Sequence, residues 1–195
     1  MLLAAGTASR FGADKLLAQL AGRTLLEHSA SALAAGVEQL FVVIRPDQQA
    51  MLSALADIPH IPVCCTDSHK GMGNSIAAGV RASRSASGWL VMPADLPRVA
   101  PASIAAVVAA LDAGATAVRP RWGGQAGHPV GFSADCGAAL AALSGEAGGR
   151  LLLAELGSEV LELALDDPGI VCDVDTPEAL AALAAGGDAD DSAIE

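Results

Sequence analysis

Short aliphatic runs alternate along this chain with longer alanine-rich stretches bounded by turn and capping residues. The runs at 2–5, 40–44, 61–65, 89–92 and 115–119 read as buried strands. Between them, residues 24–36, 47–56, 75–83 and 101–111 read as helices. Thr24 with Glu27 three residues later forms a capping box, Gly36 closes that helix, and Pro101 suits a first helical turn. This alternation predicts an α/β fold: a three-layer α/β/α sandwich around a Rossmann-like, mostly parallel sheet.

The rhythm changes after residue 120. Residues 121–127 are polar and glycine-rich, and 128–132 return to an extended pattern, as in a hairpin or an excursion from the sheet. Helices are expected at 134–143 and 150–156, an edge strand at 160–165 and a short strand at 170–174. Thr176 then caps a final helix with Pro177 at its first position. No repeat or linker divides the chain, so one domain is expected over 1–185, with 186–195 as a disordered acidic tail.

Composition narrows the function classes. The formal net charge of −11 leaves no basic patch of useful size, which disfavours nucleic-acid binding but allows a small anion held with a divalent metal. Apolar residues reach 52%, yet aromatics are 3% with no Tyr, so the core must be aliphatic and the helices rich in small side chains. Cys64, Cys65, Cys136 and Cys172 lack any Cys-x-x-Cys spacing and read as buried small residues in a reducing cytoplasm. No stretch has membrane-spanning character, so neither a membrane nor a nucleic-acid partner is expected, and the location expected is cytoplasmic.

Three loops follow strands, at 6–15, 68–74 and 93–98, on the sheet edge where open α/β folds bind ligands. The first carries Arg10 and Lys15, two of only eleven basic residues, between glycines. That pattern suits a phosphate cradle, the alternative being a tight loop with two solvated cations. It matches neither Gly-x-x-x-x-Gly-Lys-Ser/Thr nor Gly-x-Gly-x-x-Gly. Asp95, between Pro93 and Pro97, either holds Mg²⁺ or caps a turn. Asp173 and Asp175 form a second acidic cluster, one of which could join Asp95 around a metal, although Asp-Thr-Pro is also an ordinary helix start. In Gly127-His128-Pro129 the histidine contacts substrate, shapes the pocket, or simply bonds to a turn backbone. His28, His60 and His69 suit surface or packing roles, and the absence of a Gly-x-Ser-x-Gly elbow or a Ser-His-Asp set disfavours acyl-enzyme hydrolysis.

Taken together, residues 3–15, Gly71-Met72-Gly73-Asn74-Ser75, Pro93-Ala94-Asp95-Leu96-Pro97, Gly127-His128-Pro129-Val130-Gly131-Phe132 and Asp173-Val174-Asp175-Thr176-Pro177 resemble the motifs of MobA-like nucleotidyltransferases, in order and across nearly the whole chain. Within them the sequence is most similar to the molybdenum cofactor cytidylyltransferases. The resemblance implies the nucleotide-diphospho-sugar transferase type of fold, CTP and a molybdopterin cofactor as substrates, Mg²⁺, and transient contact with a molybdenum hydroxylase or its chaperone. It implies that Gly6, Arg10 and Lys15 hold nucleotide phosphates, with Arg10, Lys15 and Asp95 catalytic. Asp95 and Asp175 would bind the metal. Ala4 and Ala5 would line the base pocket, with Ala5 in place of the glycine of the guanylyl branch, and Gly71, Asn74 and Ser75 would close around base and ribose. Gly127, His128 and Pro129 would face the acceptor. Other readings are GTP, a different phosphate or sugar-phosphate acceptor, or a cofactor-delivery protein without chemistry.

Overall fold

The computed structural model describes residues 1–6, 11 and 15–187. Its central sheet is built first from three parallel strands, β1 (Leu2–Leu3), β4 (Phe41–Ile44) and β5 (Ile61–Cys64). A small antiparallel hairpin lies between β1 and β4 in sequence, β2 (Gln19–Leu20) with β3 (Arg23–Thr24). Its two turn residues, Ala21 and Gly22, both adopt positive φ, the twist a two-residue hairpin requires. A non-glycine in that conformation gave the sequence no clear turn signal.

Strand β6 (Gly88–Pro93) pairs with the other side of β1. Beyond it stand β7 (Ala117–Trp122), the short β8 (Gln125–Ala126), β9 (Val130–Ser133) and β10 (Val160–Ala164), giving the order β10-β7-β9-β6-β1-β4-β5, with β8 paired to β7. The segment expected as a hairpin or excursion begins as a hairpin, with Arg121 and Trp122 pairing antiparallel to Ala126 and Gln125, but its end, β9, is a central strand. β9 inserts antiparallel between β6 and β7, while β10 forms the expected edge, parallel to β7.

Alternation within the strands divides the core into two layers. Leu90 and Met92 of β6 face one cluster, with Leu26 and Leu33 of α1 (Leu25–Ala34), Met51 of α2 (Gln49–Ala54) and Ile104 and Val107 of α4 (Pro101–Asp112). Trp89 and Val91 face the other, with Ile76 and Val80 of α3 (Met72–Ala82), Leu140 of α5 (Gly137–Ala141) and Leu152 of α6 (Arg150–Leu156). A sheet covered on both faces explains why its strands read as unbroken aliphatic runs. The last helix, α7 (Pro177–Gly187), packs Leu180 and Leu183 near Leu20, Leu25 and Val174, and includes two residues of the expected tail. Residues 188–195, the rest of that tail, lie outside the described residues.

The capping box holds in full, since the Thr24 hydroxyl accepts from the Glu27 N–H and the Glu27 carboxylate accepts from the Thr24 N–H. Gly36 serves packing: a Cβ there would lie 2.5 Å from Ile104 Cγ2, so the turn after α1 approaches α4 too closely for a side chain. Two expectations need correction. Residues 170–174 are no strand; Pro168–Val171 is a 3₁₀ turn that the Asp167 carboxylate caps by accepting from Gly169 N–H. The cysteines are not uniformly buried: Cys65 and Cys136 are, Cys64 is exposed and Cys172 half-buried. Among the described residues, no helix is long and apolar enough to cross a membrane.

Candidate active site

Strands β1, β4, β5 and β6 run in the same direction, so the loops after them share one edge of the sheet. Three predicted site residues meet there. Lys15 Nζ donates to Asp95 Oδ2 at 2.7 Å and to Asp175 Oδ1 at 2.8 Å. The lysine side chain is 10% exposed, that of Asp95 20% and that of Asp175 50%, so the cluster opens to solvent on the Asp175 side. Burial by itself would lower the Lys15 pKa, but the hydrogen bonds and negative charges of Asp175 and Asp95 together outweigh it and hold the ammonium above its ordinary 10.5.

Backbone bonds set this meeting. The chain leaves β6 with Ala94 N–H donating to the Leu3 carbonyl, and Asp95 itself is gripped through its own carbonyl by Val174 N–H at 3.0 Å. On the third side, Leu16 is buried in the core and the Lys15 carbonyl accepts from Ala18 N–H at 3.0 Å, which pins the lysine's backbone. Arg10, predicted to stand beside Lys15 on the phosphates, lies outside the described residues.

Ala4 and Ala5 are buried at the exit of β1, with their side chains in the core clusters. Two residues that the sequence reading passed over hold this stretch. Arg45 Nη1 donates to the Gly6 carbonyl at 2.7 Å, and Gln48 Nε2 to the Ala4 carbonyl at 3.2 Å, while Gln48 Oε1 accepts from Arg45 N–H at 2.8 Å. The signal that could have found them is a cation at the carboxyl end of a strand adjacent to the first loop.

The second predicted loop meets a third segment. Gly73 N–H donates to the Gly145 carbonyl at 2.9 Å, and Asn74 Oδ1 accepts from Gly145 N–H at 3.0 Å. A Cβ on Gly71, where φ is +126°, would lie 2.2 Å from the Gly145 carbonyl carbon. The glycines here are therefore needed for close backbone approach. Ser75 follows, buried in the first turn of α3.

Gly127, His128 and Pro129 enter β9 through a cis His128–Pro129 bond. Gly127 N–H donates to the Pro120 carbonyl at 2.8 Å and His128 N–H to the Ile170 carbonyl at 2.9 Å. Burial lowers the His128 pKa below 6.5, partly offset by a hydrogen bond with the Val91 backbone and by the charges of Asp95 and Asp173. Its Nδ1 is buried with no hydrogen-bond partner among the described residues. The triplet thus sits within electrostatic reach of the carboxylates but is fastened to the 3₁₀ turn, not to Lys15.

Asp167 joins the pieces from behind. Its Oδ2 accepts from Ala100 N–H at 2.9 Å and from the Ser103 hydroxyl at 2.6 Å, and its Oδ1 accepts from Gly169 N–H at 2.8 Å. The sequence showed only one more acidic residue beside a proline.

Known proteins resemble this chain in sequence and in fold. The chain is 32% identical over 191 residues to the purine catabolism protein PucB of Bacillus subtilis, covering 91% of each. It is 34% identical over 143 residues to a 2-C-methyl-D-erythritol 4-phosphate cytidylyltransferase of Cereibacter sphaeroides, covering 67% of this chain and 64% of that protein. A probable molybdenum cofactor guanylyltransferase of Bacillus cereus is 29% identical over 102 residues, covering 51% of this chain and 49% of the relative. Among solved structures, Rv0371c of Mycobacterium tuberculosis superposes with a TM-score of 0.76 at 28% identity, covering 94% of this chain and 96% of that one. Its complex with manganese gives 0.73 at 27% identity over the same shares. The profile of the MobA-like NTP transferase domain matches residues 1–160, and the chain belongs to that family of nucleotidyltransferases.

Proposed function

We propose that this protein transfers CMP from CTP to the terminal phosphate of a molybdopterin-type molybdenum cofactor and releases pyrophosphate. The observation that carries the reading is the convergence of Asp95 and Asp175 on a single cation, the Lys15 ammonium, at the sheet edge where α/β folds bind nucleotides. Two carboxylate oxygens aimed at one cation are also the donor set a hard divalent ion prefers. Mg²⁺ held by Asp95 and Asp175 would supply Lewis-acid polarisation of the α-phosphate.

In this reading an oxygen of the acceptor phosphate forms a bond to the α-phosphorus of CTP. The bond from that phosphorus to the bridging oxygen breaks, and its electron pair leaves on pyrophosphate. The attacking phosphate is already ionised near neutral pH, so no side chain need remove a proton. What the chain supplies is alignment and charge. Lys15 and Arg10 offset charge on the β- and γ-phosphates. The joined loops at 71–75 and 144–146 enclose base and ribose, beside Ala4, Ala5 and Gly6. Gly127, His128 and Pro129 border the acceptor, where burial lowers the imidazole's pKa and so disfavours its charged form.

Cytidine is supported by Ala5 and by the relative named as a cytidylyltransferase. The relative named as a molybdenum cofactor guanylyltransferase favours the second reading, the same transfer from GTP. A pyrophosphate-release assay with purified molybdopterin cofactor, Mg²⁺ and either nucleotide separates them. CTP-dependent release is expected. GTP-dependent release establishes the second reading, and nucleotide binding without release with either nucleotide refutes both.

A further inference from the structure

An ammonium and a divalent ion cannot share the position between Asp95 and Asp175. Lys15 Nζ holds both carboxylates at 2.7 and 2.8 Å, so a metal that takes the same oxygens must displace it. We propose that Lys15 is an exchangeable counter-ion: it fills the divalent-cation position in the nucleotide-free protein and gives it up to the metal, carrying its charge to the triphosphate. This rests on reading Asp95 and Asp175 as the metal pair.

The surroundings suit an exchange confined to one side chain. The backbone of Lys15 is anchored by buried Leu16 and by the Ala18 N–H on its carbonyl, so only the four-carbon stem needs to move. Asp95 is held by Val174 N–H and is the more buried carboxylate, so one half of the site stays fixed. Asp175 is half exposed and offers the entering ion a path from solvent. Without a ligand, two adjacent carboxylates repel each other, and the ammonium balances them. With metal alone, the lysine loses both partners. With metal and nucleotide together, it gains phosphates in their place. Metal and nucleotide therefore reinforce each other's binding, with Lys15 as the element both act upon.

Two measurements test this. Mn²⁺ titration of the nucleotide-free protein, read by the electron paramagnetic resonance of free Mn²⁺, should show binding about tenfold tighter in Lys15→Met than in the unaltered chain. Equal or weaker binding overturns the exchange. Asp95→Asn, made in both backgrounds, separates the two readings. If it leaves Mn²⁺ binding unchanged, the metal pair itself is refuted; if it abolishes binding while Lys15→Met gives no gain, only the exchange falls. The second measurement needs no variant of Lys15. The chain has two lysines, Lys15 and Lys70, and Lys70 is exposed enough to serve as internal reference. Reductive methylation mapped by mass spectrometry should find Lys15 protected without metal. At Mn²⁺ concentrations that saturate the resonance signal, its labelling relative to Lys70 should rise at least about fivefold. Unchanged labelling at saturation overturns the proposal.

Discussion

The N–H of Val174 donates to the carbonyl of Asp95 at 3.0 Å. This bond joins the exit of β6 to the segment that delivers Asp175. The separation of the two carboxylates is therefore set by backbone, and their side chains need only turn toward a common cation. A substitution at Asp95 that keeps its shape should leave this framework intact and remove only charge.

Asp95→Asn is such a change. The proposed mechanism relies on charge placed where the α-phosphate reacts, so turnover should fall by at least about 10²-fold. Nucleotide affinity should change far less, because Lys15 is then released to the triphosphate. Pyrophosphate release and calorimetric CTP binding measure the two effects separately. Near-normal turnover would remove Asp95 from the chemistry.

Much of this arrangement was legible in the sequence. The aliphatic runs marked β1, β4, β5 and β6, and the loops after β1 and β6 carried Lys15 and Asp95. What the sequence hid was cross-chain geometry. Nothing in the order of residues shows that 128–132 slips antiparallel between β6 and β7, because an extended run has no direction until it is paired. The 3₁₀ turn at Pro168–Val171 was hidden because Ile170 is fully buried, as a strand residue would be. Arg45, Gln48 and Asp167 act on backbone groups far away in sequence, and such partners leave no local pattern.

Gly71→Ala tests the seam between the second loop and residues 144–146. The new Cβ would meet the Gly145 carbonyl carbon at 2.2 Å on a residue with φ of +126°. Strain and overlap together should destabilise the fold by at least about 2 kcal/mol. Thermal and urea unfolding should register the loss, and nucleotide KM should rise as the loops part. A variant of unchanged stability and KM would show that the two segments are not locked.

Asp167→Asn examines the brace behind the carboxylates. The amide keeps one acceptor but turns an NH₂ toward the Ala100 N–H or the Gly169 N–H, which then lacks a partner. A buried donor left unpaired costs about 1–3 kcal/mol. Urea unfolding should show that loss. Stability equal to that of the unaltered chain would mean the brace carries no weight.

His128 makes the fold sensitive to acid in a defined window. Burial holds its folded pKa below 6.5, while an unfolded histidine titrates near that value. Above pH 6.5 both states are neutral at this site, and the full stability is present. As pH falls below 6.5 toward the folded pKa, the unfolded chain takes up a proton that the folded chain resists, so stability declines. One such group can contribute a slope of at most about 1.4 kcal/mol per pH unit. The test compares urea unfolding of the unaltered chain and of His128→Gln between pH 7.5 and about pH 5.5, above the range where ordinary carboxylates protonate. The unaltered chain should lose stability faster across that interval, and subtraction removes whatever the other histidines contribute. Parallel curves would show that the imidazole titrates alike in the folded and unfolded chain, so that burial does not disfavour its charged form on the acceptor side.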